Sequence, residues 1–135
     1  MSTPGPARIS LPAGKAYRVT ILNEKHYPPG HPAQLVFSED PAAQSWIASF
    51  SVPNVGLTEL NCNVKEIENG QYEFRFTLNN PTTDQKNAGY IKGAYIFTFA
   101  PPTNPSQFGG TVNDPWKKPD DAEDNWTAEG HGPDE

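Results

Sequence analysis

The residues of this chain whose types could do chemistry are few and scattered. Cys62 is the sole cysteine, and the three histidines stand at positions 26, 31 and 131. Lys25-His26-Tyr27-Pro28-Pro29-Gly30-His31 is the one segment where two imidazoles come near each other in sequence. A metal site there would recruit Glu39 or Asp40 as a third ligand, but the spacing matches no established ligand pattern. We read it instead as a proline-stiffened surface loop, and expect neither metal nor cofactor. Asp120-Asp121-Ala122-Glu123-Asp124 has the charge to attract calcium. It lacks the alternating ligands and central glycine of an EF-hand loop, and reads as a solvated acidic stretch. Asn125-Trp126-Thr127 fits a glycosylation acceptor, with no export signal ahead of it.

Covalent catalysis has little to work with. There is no GxSxG, HExxH, phosphate-binding loop or dinucleotide fingerprint. A Cys–His pair would need Cys62, whose strand position points inward among apolar neighbours, where thiols are inert. The acids of the first 113 residues fall on outward strand positions or in turns. No two carboxylates converge as glycoside hydrolysis requires; Glu66 and Glu68 only flank a hairpin tip. The chain reads as a non-enzyme.

Aromatic residues are the better candidates. Tyr27 stands on the stiff proline loop, and ring faces beside polar side chains are what sugar-binding surfaces use. Tyr27, His26 and His31 are therefore the candidate ligand-binding set, with a neutral carbohydrate as the possible ligand. Trp116 and Trp126 lie where the chain has almost no aliphatic residues to accompany them. We read them as partner-binding anchors, since large rings in polar segments serve as interface hot spots.

The elements that must position these residues follow from pattern and composition. Pro (15) and Gly (11) leave little room for long helices in 135 residues. Alternation with period two marks strands at Ala16–Asn23, Trp46–Val52 and Gln71–Asn79. Gln34–Ser38 is a short apolar run, Gly89–Ala100 carries apolar side chains on both faces as a doubly covered strand would, and Thr58–Ile67 leads into a hairpin with Gln71–Asn79. Ala7–Leu11 would add an edge strand, and Pro41–Gln44 a single helical turn. Prolines and asparagines mark loops at Tyr27–Pro32, Asn79–Asp84 and Pro101–Pro105. The expected fold is all-β, an antiparallel β-sandwich or barrel of about six to seven strands.

One hairpin can be placed in register. A two-residue Asn69-Gly70 turn would set Val64, Cys62 and Leu60 against the face opposite Phe74, Phe76 and Leu78. A three-residue loop with Gly70 left-handed shifts the pairing by one and unites the apolar set. Lys65 then meets Glu73, and Glu66 meets Tyr72.

Charge divides the chain. Residues 1–113 hold eight acids and eight bases, while the last 22 residues hold eight acids and two lysines, so all of the net charge of -6 lies there. Beyond Phe108 the only Leu, Ile, Val or Phe is Val112. A segment so poor in aliphatics cannot offset its own ordering entropy. The expected organisation is a β-sandwich domain over residues 1–108 and an extended acidic tail over residues 109–135, docking on a neighbouring subunit or a protein partner. A homo-oligomer is the leading expectation. A lectin-like module and a protease inhibitor presenting the Tyr27–Pro32 loop are the alternatives. A neutral body with an acidic tail does not suit nucleic acid or an anionic membrane. With no signal peptide or membrane span in the sequence, a cytoplasmic location is expected, although non-classical export or a virion would leave the same pattern.

Overall fold

The computed structural model describes residues 16–40, 42, 45–68, 70–100 and 107–130, except the side chain of Glu59. Eight antiparallel strands follow one another around a closed barrel: β1 (Ala16–Ile21), β2 (Ala33–Asp40), β3 (Ser45–Val52), β4 (Leu57–Glu68), β5 (Gln71–Leu78), β6 (Gly93–Phe99), β7 (Gln107–Asn113) and β8 (Asp124–Gly130). The expected all-β antiparallel class is observed. The count of six to seven strands is corrected to eight, and the sandwich gives way to the barrel.

Closure comes from the segment that was expected to be a tail. β8 pairs with β7 on one side and with β1 on the other, Ile21 lying opposite Trp126 and Tyr17 opposite Gly130. The boundary expected at residue 108 therefore falls inside β7. The physical reason is that a closed sheet leaves no edge strand, so even a strand with few aliphatics is held by backbone hydrogen bonds on both sides. Volume that aliphatics would have filled is supplied by one indole. Trp126 is 1% exposed, and its Nε1 donates to the carbonyls of Thr98 and Thr111 at 3.2 and 3.0 Å. Gly110 stands opposite Trp126. A Cβ at Gly110 would come within 1.8 Å of the Thr98 carbonyl oxygen, so only glycine lets β6 and β7 approach here.

The interior is packed with rings. Phe74 stacks on Phe97 with centroids 4.9 Å apart, Phe76 on Tyr95 at 5.0 Å and Phe50 on Phe76 at 5.1 Å. Trp126 presents its edge to Phe97 and Phe108 at 5.4 and 5.6 Å. An eight-stranded barrel is just wide enough for side chains to fill, and this one is filled. Cys62 belongs to that interior at 3% exposure, its thiol directed at the Leu60 carbonyl and pushed up to a pKa of about 11 by burial.

The β4–β5 hairpin has the expected register. Lys65 lies opposite Glu73 and Glu66 opposite Tyr72, with a shift before Glu68 and Gly70 left-handed at φ 77°. Lys65 and Arg75 both reach Glu73, at 3.5 and 3.0 Å.

Two short helical pieces lie between strands: the turn η1 (Pro53–Val55) and the helix α1 (Thr83–Asn87). The latter lies where only a loop was expected. Its start is a capping box in which Thr82 accepts from the Gln85 backbone and Gln85 accepts from the Thr82 N–H. The Gly89–Ala100 strand begins only at Gly93. The edge strand expected at 7–11 and most of the turn expected at 41–44 lie outside the described residues. No helix among those described is long and apolar enough to cross a membrane.

The up-and-down order sends alternate connections to alternate ends. Residues 22–32, η1, the α1 segment and residues 114–123 gather at one end, called here the loop end. The start of β1 and the finish of β8 lie at the other, the base.

Candidate functional site

Topology brings together at the loop end residues that sequence separates. Tyr27 does not project into solvent as expected; it is 7% exposed, with its ring edge-on to Tyr90 at 5.4 Å. Its hydroxyl donates to Oδ2 of Asp114 at 2.7 Å. Asp114 is itself buried, and its Oδ1 accepts from the Trp116 backbone N–H at 3.1 Å. This pair ties residues 22–32 to residues 114–123 across the mouth of the barrel.

Electrostatics follow from that burial. Desolvation, followed by the hydrogen bond with Asp114 and its charge, raises the Tyr27 phenol far above the usual range. Asp114 is also raised, first by desolvation and then by the neighbouring carboxyl of Asp124; the donors from Tyr27 and Trp116 only partly oppose this. Tyr27 is thus fixed as a neutral hydrogen-bond donor.

Gly89 is the meeting point of three loops. Its φ is 100°, and an added Cβ would lie 2.0 Å from the His26 carbonyl oxygen and 2.8 Å from the Tyr27 ring. Its own carbonyl accepts from Nε1 of Trp116 at 2.9 Å. Further ties come from Gln85, which donates to the Val55 carbonyl, and from Asn23, which donates to Asp124. The loops form a hydrogen-bonded rim around the mouth.

Two clefts open on this rim. The first, about 330 Å³, is bounded by Arg18–Ile21 of β1, by Tyr27–Pro32, and by Ala88 and Tyr90. The second, about 270 Å³, is lined by Asn23, His26, Trp116, Lys117, Asp121, Ala122 and Asp124. The candidate ligand-binding residues are therefore split. Tyr27 and His31 border the first cleft, while His26 borders the second and stacks on Trp116 with centroids 4.3 Å apart.

The partner-binding role expected of Trp126 is corrected, because it is a core residue. Trp116 is half-buried between His26 and the Gly89 carbonyl, so this indole too makes contacts within the chain. Asp114, Gly89, Tyr90 and Arg18 were not picked out in the sequence, although all contribute to the rim or the first cleft. Among the described residues, no group of three or more His, Cys, Asp or Glu is placed to hold a metal ion.

Comparison with protein-family models, with curated proteins and with solved structures gave no match.

Proposed function

We propose that the protein is a non-catalytic binding protein whose ligand site is the cleft under the Tyr27–Pro32 loop. The observation that carries this reading is the cleft itself, about 330 Å³ in which Arg18 and Thr20 of β1 and His31 of the loop meet Tyr27, Pro28, Pro29 and Tyr90. A concavity with an apolar wall and a few convergent polar groups is the usual form of a ligand site.

Titration of the ¹⁵N-labelled chain with a fragment library tests the reading. Ligands are expected to shift the amides of Thr20, Gly30, His31 and Tyr90. Thr20 lies on the exposed outer face of β1 at the cleft edge. Thr20→Trp should fill the cleft and abolish those shifts with the melting temperature unchanged. Binding that persists in this variant, or shifts confined to other surfaces, would overturn the proposal.

The second cleft supports a saccharide reading. It places the Trp116–His26 stack beside amide, carboxylate and ammonium groups, the combination that sugar hydroxyls use. Methyl glucoside and related glycosides should then shift the Trp116 indole N–H signal; an unmoved signal across the series removes the reading. The protease-inhibitor alternative gains little. The exposed tip of the loop is Pro29-Gly30, which offers no long side chain to a specificity pocket.

A further inference from the structure

The chemistry of the first cleft is more specific than its shape. The chain as a whole is acidic, with a net charge of -6, yet the cleft is lined by Arg18 and His31 and by no carboxylate. Arg18 is exposed on the outer face of β1, with Glu129 opposite it on β8 and Gln34 opposite it on β2. It nevertheless makes no ion pair among the described residues, whereas Arg75, elsewhere on the barrel wall, is paired with Glu73 at 3.0 Å. An arginine fork left open in a cleft that holds no carboxylate is a donor for a planar acid group. Pro28, Pro29, Tyr27 and Tyr90 supply apolar wall.

We propose that this cleft holds a small organic carboxylate, its acid group on Arg18 and its apolar part against Tyr27, Pro28 and Tyr90. The proposal rests on the cleft being the binding site and adds the class of ligand. A volume of about 330 Å³ sits at the low end of the range for ligand pockets, so the ligand is compact.

Hexanoate and its neutral isostere hexanamide are the probes, titrated into the full chain and followed by the amides of Thr20, Gly30, His31 and Tyr90. Hexanoate should bind about tenfold tighter than hexanamide, the size of effect expected for charge-assisted hydrogen bonds. Arg18→Gln should erase that preference while hexanamide binding stays the same, and Arg75→Gln should leave the preference intact. Equal affinities for acid and amide at these amides would overturn the carboxylate assignment while keeping the cleft as the site. Hexanoate shifts that appear only around Lys117 and Trp116 would overturn it as well, by placing the acid in the other cleft. The comparison on the wild-type chain stands whether or not a variant folds.

Discussion

Asp114 shows how much one buried carboxyl can govern. The folded chain holds its proton more tightly than the unfolded chain does, because burial and Asp124 raise its pKa. An acid raised on folding contributes stability below the unfolded pKa of about 4, and that contribution is lost as pH rises through the folded value. Asp114→Asn removes the titration while keeping an acceptor for Tyr27 or the Trp116 N–H. Its stability relative to wild type, measured by urea unfolding between pH 3 and pH 7 (about one unit below to three above that reference pKa), should therefore improve as pH rises. Parallel pH profiles would show that Asp114 is not a source of the dependence. No sequence pattern announces such a residue. Asp114 opens the acidic segment, and nothing local distinguishes it from the solvated acids that follow.

At the scale of elements, Gly110 marks a close approach between neighbouring strands. Gly110→Ala forces a Cβ against the Thr98 carbonyl and should cost about 1–3 kcal/mol, as overpacking typically does, read as a fall in the urea midpoint. A wild-type midpoint would mean that β6 and β7 separate freely at this place. The same glycine explains what sequence reading could and could not recover. β1, β3 and β5 were legible because large apolar residues recur at every second position, Tyr17, Val19 and Ile21 in β1 and Phe74, Phe76 and Leu78 in β5, and the bulged turn followed from matching the apolar faces of β4 and β5. β7 and β8 were not legible. Their inward positions include Gly110 and Ala128, and the volume they lack is carried by Trp126, which looks solitary in sequence. α1 had a signal, Thr82-Thr83-Asp84-Gln85, that a search for capping boxes would have found. The site was legible in part: Tyr27 and His31 were singled out, but only the strand order could show that residues near 20, 30 and 90 share one cleft.

At the scale of the molecule, the barrel is closed by the final strand or not at all. A chain ending at Phe108 loses all of β8 and most of β7, exposing unpaired edges on β1 and β6 and uncovering the rings that Trp126 packs against. It should show no cooperative thermal transition by circular dichroism, in contrast to the full chain. A sharp transition would restore the two-part organisation inferred from charge and aliphatic content. That inference failed for a definable reason. Net charge reports composition and not position: Asp114, Asp120, Asp121 and Glu123 fall in the connection between β7 and β8, while the two strands themselves carry only Asp124 and Glu129 and leave their inward positions to the core.

The pairing of Tyr17 with Gly130 at the base has a practical consequence. β1 starts and β8 finishes at the base, the end of the barrel opposite the loops. A tether joined directly to the start of β1 or the finish of β8 would leave from the base, so the protein can be immobilised or strung into an array with the loop end of every copy turned the other way.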